Sequence, residues 1–164
     1  MMADHATVHI RTTTAADKPF MRAEMHKWWG DEMVVLRGEK YFPAEYEGFI
    51  AEYNDEKAGL ILIRFERKLC EIMSLTTSAE SPPVGSELVS AAIKMAREKG
   101  TQKMIVVTTN DNIAALRFYQ RLGFTICDWR MNAVEQSRAI KPQIPLKGNH
   151  HIPIRDEIEL ELII

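Results

Sequence analysis

The chain predicts a single mixed α/β domain, a β-sheet covered by helices, and three observations lead there. Strand-like and helix-like periodicities alternate along the whole length, with no internal repeat and no low-complexity tail. The 164 residues, 46% of them hydrophobic, suit one substantial core and leave little for a second. The segment between Cys70 and Val107 reads strand, helix, strand, a βαβ unit whose two strands are expected to run parallel through a right-handed crossover.

Each element follows from its local pattern. "TVHIRTTT" alternates and is β-branched, so it opens the chain as a strand. Residues 16–29 read as a helix, with Pro19 near the first turn and Gly30 as the stop. Residues 31–47 mix their signals and give no clear element. "GFIAEYND" and "AGLILIRFERK" flank the turn "NDEK" as a hairpin, and "LCEIMSLTT" is a further strand. "VGSELVSAAIKMAREKG" places Val84, Leu88, Ala92 and Met95 on one helical face and stops at Gly100. "KMIVVTT" is an almost unbroken β-branched run, the mark of a strand buried on both faces. The next helix is expected to be capped by Asn110 or Asp111 and to end at Gly123, before the strand "FTICDWRM". A short helix over 133–140 leads into a loop holding Pro142, Pro145 and Gly148. In "IRDEIELELII", Ile158, Leu160 and Leu162 alternate with Glu157, Glu159 and Glu161, which reads as the polar face of a half-buried strand. Such an exposed last strand could pair edge to edge in a homodimer.

Charge and composition exclude several classes. With 21 basic and 23 acidic residues well mixed and a net charge of −2, there is no electrostatic footprint for nucleic acid. The apolar runs are far too short to span a bilayer, so no membrane association is expected, and the start "MMADHATVHIRTTT" lacks the apolar core of a secretory signal. A cytoplasmic location is the expectation. Cys70 and Cys127 stand alone in apolar surroundings without CxxC spacing and read as reduced core or strand residues. His150 and His151, beside Pro153, lack the convergent ligands a metal requires and read as a solvated loop, so no metal is expected.

One constellation points to a ligand. Asn112, Ala115 and Tyr119 share a stripe of one helix, because residues three, four and seven apart lie on the same face. In α/β sheets ligands bind beyond the carboxyl ends of strands, and phosphates favour helix N-termini, so the joint "LTTSAESPPVGSEL" is the expected binding region. An acidic pair at the start of the last strand, Asp156 and Glu157, is placed to attract a cationic amine.

These residues resemble the GNAT superfamily of acetyl-CoA-dependent N-acetyltransferases, over nearly the full length from Val8 onward and specifically a poorly characterised bacterial branch. Asn112, Ala115, Tyr119, Gly123 and Phe124 match the second signature of that superfamily at every position, and "CEIMSL" with the helix after it resembles the first. The resemblance implies a GNAT-like mixed, mostly antiparallel sheet of about seven strands, with a parallel βαβ cofactor site and flanking helices. It also implies acetyl transfer from acetyl-CoA to a primary amine by direct attack in a ternary complex. Tyr119 would then protonate the departing thiolate, and Asn112 would bond the pantetheine arm or the phosphate region. Backbone groups of Met73, Ser74 and Leu75 would bind pantetheine and polarise the acetyl carbonyl. The first turn of the following helix, Val84, Gly85, Ser86 and Glu87, would face pyrophosphate with its free N–H groups. Glu71 is the first candidate general base, directly or through a water, against the plainer reading of an ordinary strand carboxylate. Trp28 and Trp29 fall where the superfamily builds its acceptor wall, one expected in the core and the other in the pocket.

The phosphate loop departs from the pattern. Aligned on Gly85 it reads Glu80, Ser81, Pro82, Pro83, Val84, Gly85, and proline has no N–H. Losing two bonds to a charged group, at roughly 1.5–3 kcal/mol each, would weaken binding by about two to four powers of ten. Ser81, Ser86 and the helix-terminal N–H groups supply compensating donors. The competing expectation is a catalytically degenerate domain that acts as an acyl-CoA-binding or protein-interaction module.

Overall fold

A computed structural model describes residues 7–78 and 84–164. Its main sheet holds seven strands: β1 (His9–Thr12), β4 (Glu47–Tyr53), β5 (Glu56–Glu66), β6 (Leu69–Thr77), β7 (Lys103–Thr109), β9 (Glu157–Ile163) and β8 (Thr125–Arg130), in that spatial order. Every neighbouring pair is antiparallel except β6 and β7, which are parallel and joined through helix α2 (Val84–Glu98). The expected mixed, mostly antiparallel α/β sheet and its βαβ unit are therefore present.

The side-chain alternation of the strands sorts two cores onto the two faces. Ile61, Ile63, Cys70, Ile72, Ile158 and Leu160 pack against Leu88, Val89, Ala92 and Ala96 of α2 and against Tyr119 of α3 (Ile113–Arg121). On the opposite face Ile50, Leu60 and Leu62 pack against Met21 and Met25 of α1 (Lys18–Trp29). Burying each large aliphatic side chain contributes about 1.5–3 kcal/mol, so these two layers fix the helices to the sheet.

The hairpin between β4 and β5 turns on two residues, Asn54 and Asp55, both with positive φ, the conformation that matches strand twist in a tight hairpin. The expected short helix is α4 (Ala133–Ile140). Among the described residues no helix is long and apolar enough to cross a membrane.

Several expectations are corrected. Residues without a clear element contain a second hairpin, β2 (Val34–Leu36) with β3 (Glu39–Tyr41), too short for periodicity to register. The last strand is not an edge: β9 lies between β7 and β8, and the edges are β1 and β8. Its glutamates are accordingly not a solvated stripe, for Glu157 is 2% exposed. Cys70 is buried, and burial pushes its thiol up to about 12, but Cys127 is exposed on the β8 edge. The cap of α3 is Asn112, whose side chain accepts from the Ala115 N–H at 3.1 Å, rather than Asn110 or Asp111.

Candidate active site

The parallel pair β6 and β7 stays together only from Leu69 opposite Lys103 to Ile72 opposite Val106. Beyond that point β6 continues along β5 to Thr77, and β7 continues along β9 to Thr109, so the two strands diverge. A register shift between Leu62 and Ile63 makes Met73 the extra residue of a β-bulge at the point of divergence. Bulges bend a strand and increase its twist, which accounts locally for the opening. Past Ile72 the backbone of β6 has no strand to pair with on its β7 side, so its polar groups there are available to an extended ligand.

A cavity of about 580 Å³ fills the opening. It is lined by Met73, Ser74 and Leu75 from β6, by Val107, Thr108 and Thr109 from β7, and by Asn112, Ala115 and Tyr119 from α3. The helical stripe noted in the sequence thus forms one wall of the cavity. Tyr119 is 5% exposed, with its ring edge-on to Phe118 and Phe124 at 5.0 and 5.3 Å between centroids. Its ring is held by packing, and no hydrogen bond engages its hydroxyl among the described residues. Burial pushes the phenol up, so the hydroxyl keeps its proton across the physiological range.

The mouth is braced by Asp111, which is 3% exposed and accepts hydrogen bonds from the Asn149 N–H at 2.9 Å and its Nδ2 at 3.0 Å. This draws the 148–151 turn against the start of α3. A Cβ on Gly148 would stand 2.1 Å from the Asp111 carboxylate, so only glycine permits the approach.

The opposite wall comes from α1, the β2–β3 hairpin, α4 and β9. Both Trp28 and Trp29 line the cavity, correcting the expectation that one would be core; the Trp29 Nε1–H donates to Ser74 Oγ at 3.2 Å. Glu157 also lines it, accepting from the Arg37 N–H at 3.2 and 3.1 Å through its two oxygens. Its ion-pair partner is Arg130, whose Nε lies at 3.6 Å.

Glu71 is placed differently from the expected base. It is 1% exposed and is not among the cavity-lining residues. Its oxygens are taken by Arg37 at 2.8 and 2.9 Å and by Arg64 at 2.7 Å, so the carboxylate serves to anchor the hairpin turn to the sheet. Arg37 and Arg130 both reach Glu159 as well, at 3.6 and 3.3 Å, which joins the three glutamates and three arginines into one network across the sheet face. No sequence signal linked Arg37 to Glu71, because the hairpin carrying Arg37 was itself illegible.

Among the other expected binding residues, Val84 is 1% exposed and faces the core, and Gly85 sits where a Cβ would meet Phe118 at 3.3 Å. Ser86 is half-buried and Glu87 exposed, and none of these four lines the cavity. Glu80, Ser81, Pro82 and Pro83 lie outside the described residues. Asp156 is turned away from amine capture: it accepts from Arg155, Trp129 and the Asn132 N–H. Among the described residues no group of three or more His, Cys, Asp or Glu is arranged to hold a metal.

A sheet parted between two parallel strands, with a tyrosine-bearing helix closing the gap, is the architecture of an acyl-CoA-using transferase. The profile of the acetyltransferase (GNAT) family matches residues 16–124, and the chain belongs to that family. It is 37% identical over 154 residues to the protein YxbD of Bacillus subtilis, covering 93% of this chain and 97% of that one. The fold is shared with an IAA acetyltransferase from Bacillus cereus, at a TM-score of 0.71 and 18% identity over 96% of this chain and all (100%) of that one. It is shared too with a GNAT family acetyltransferase from Elizabethkingia anophelis with acetyl-CoA bound, at a TM-score of 0.64 and 21% identity, covering 99% of this chain and 100% of that one.

Proposed function

We propose that the protein is an N-acetyltransferase that moves the acetyl group of acetyl-CoA to a primary amine by direct attack in a ternary complex. The observation that carries this reading is that the unpaired β6 edge past Ile72 and Tyr119 of α3 line one cavity. Backbone groups of Met73, Ser74 and Leu75 hold the pantetheine arm and polarise the acetyl carbonyl, as strand-edge donors do for a developing oxyanion. The start of α2, packed beside Thr77 and Phe118, meets the pyrophosphate through its free helix N–H groups.

The chemistry requires an unprotonated amine, a stabilised oxyanion and an accommodated leaving group. Glu157, on the cavity wall, takes the base role that Glu71 cannot reach from between its two arginines, and accepts a proton from the incoming ammonium. The amine nitrogen bonds to the carbonyl carbon, the carbon–sulfur bond breaks with its electron pair going to sulfur, and the second amine proton passes from nitrogen to that sulfur, giving the amide and the free thiol. Tyr119 donates its O–H to that sulfur. A thiol titrates near 8.5 while burial raises the phenol, so Tyr119 acts chiefly by hydrogen-bonding the thiolate during departure. Asn112 caps α3 and keeps Tyr119 in register with the gap.

Acetyl-CoA titrated calorimetrically into the protein, followed by amine-dependent release of free thiol, tests the proposal. Micromolar binding with amine-dependent release supports it. Binding without release for any amine class favours the acyl-CoA-binding module, and absence of binding at millimolar ligand removes the transferase reading.

A further inference from the structure

The acceptor wall carries a buried cation that the acetyl-transfer chemistry does not use. Lys141, at the end of α4, is 5% exposed and lines the cavity. Its Nζ donates to the Trp29 carbonyl at 3.0 Å and the Met33 carbonyl at 2.8 Å. An ammonium has three N–H donors, so these two bonds leave one over. Among the described residues no carboxylate forms an ion pair with Lys141; Asp31 acts on it only from a distance, while burial lowers its pKa. Most buried cations are neutralised by a partner, so a cation in a cavity with a donor to spare is built to meet an anion from outside.

The position of Lys141 says which ligand supplies that anion. Its carbonyl partners lie at the end of α1 and at the residue before β2, on the wall formed by Trp29, Val34 and Leu36, while the start of α2 packs by Thr77 and Phe118. Glu157 stands at the other end of the same short strand, bonded to the Arg37 N–H. From the Met33 carbonyl to the Arg37 N–H is roughly 10 Å, by the rise of extended backbone. A cation and an anion thus line one cavity, each bonded to the backbone at one end of an apolar strand of that length.

Resting on the transferase reading, we infer that the acceptor is a zwitterion of the amino-acid class, its carboxylate on Lys141, its amine at Glu157 and its apolar body against β2. Two hydrogen bonds of about 3 Å and a small amino acid between them span that separation. The plainer role for Lys141 is to cap the negative C-terminal end of α1, and the two roles separate by selectivity.

The test begins with acetyl-CoA binding by calorimetry, since a protein that does not bind the donor fails as a transferase and overturns both readings. With binding established, thiol release is measured for the proteinogenic L-amino acids, each against its own carboxamide, and for γ-aminobutyrate against butylamine, with rates corrected for the fraction of free amine. The expected result is a kcat/KM at least about tenfold higher for the carboxylate member of one or more pairs, since a buried site built for a charged group discriminates strongly against its absence. Lys141→Met should bring that ratio to within about threefold of unity, with Lys141→Arg retaining part of it. A purely structural lysine would lower both members of a pair equally and leave the ratio unmoved. Neutral amines turned over as well as their acids, no carboxylate-bearing acceptor turned over by protein that binds acetyl-CoA, or an unchanged ratio in a Lys141→Met protein that melts normally would each overturn the inference.

Discussion

Replacing Tyr119 by Phe separates packing from chemistry at a single oxygen atom. The ring is fixed by its edge contacts with Phe118 and Phe124 and by burial, all of which phenylalanine preserves. The hydroxyl has no protein partner among the described residues, so removing it orphans no donor or acceptor, and stability is expected to change by less than about 0.5 kcal/mol. The catalytic effect should be larger. A hydrogen bond to a charged group is worth about 1.5–3 kcal/mol, and one made chiefly to the departing thiolate falls almost wholly on the barrier. That corresponds to a loss in kcat of roughly tenfold to about 150-fold, with KM for acetyl-CoA little changed. Thermal melting and steady-state thiol release on the same preparations read both quantities. An unchanged kcat would show that the hydroxyl does not assist departure. A fall in melting temperature beyond about 3 °C would show that it is engaged structurally.

The two glutamates should respond in opposite ways. Glu71→Gln leaves two arginines facing a neutral group, and because those arginines are partly exposed the cost should be about 3 kcal/mol, lowering the melting temperature by roughly 6–12 °C. Glu157→Gln should instead reduce kcat by about a hundredfold or more, measured by thiol release. Asp111→Ala should free the 148–151 turn, costing about 1–3 kcal/mol by denaturant unfolding and raising KM for the acceptor. Acid stability follows from Asp17 and Asp156: the Arg11 guanidinium holds the first, and Arg155 with the Asn132 N–H and Trp129 holds the second, well below the usual carboxylate range. Since their folded values lie below the unfolded value near 3.9, their stabilisation is complete above that pH and is lost as pH falls through the folded values. Melting temperature should therefore drop steeply between about pH 4 and 2, and less steeply in Asp156→Asn.

Much of the architecture was legible because it is written in short periods. The apolar run in "AGLILIRFERK" and the helical spacing of Val84, Leu88 and Ala92 mark segments for burial whatever lies opposite, and Leu60, Ile61, Leu62 and Ile63 and that helix face are buried. The Asn112, Ala115 and Tyr119 stripe belongs to the same class of signal, since its geometry is complete within one helix, and it does line one cavity. The short hairpin over Val34–Tyr41 escaped because three-residue strands contain too little sequence for a period to appear. That omission carried further than its length, for the hairpin brings Arg37 to Glu71 and lays an apolar strand between Lys141 and Glu157. Strand order was likewise invisible locally: nothing in "EIELELI" says that it will enter between β7 and β8, where Glu157 is drawn into the cavity instead of facing solvent. By itself the sequence determined the longer elements and which side of each is apolar, because those depend on neighbours within a few residues. The tertiary structure alone decided which carboxylate is sealed and which meets the cavity, because charge burial and pairing are settled by groups distant along the chain.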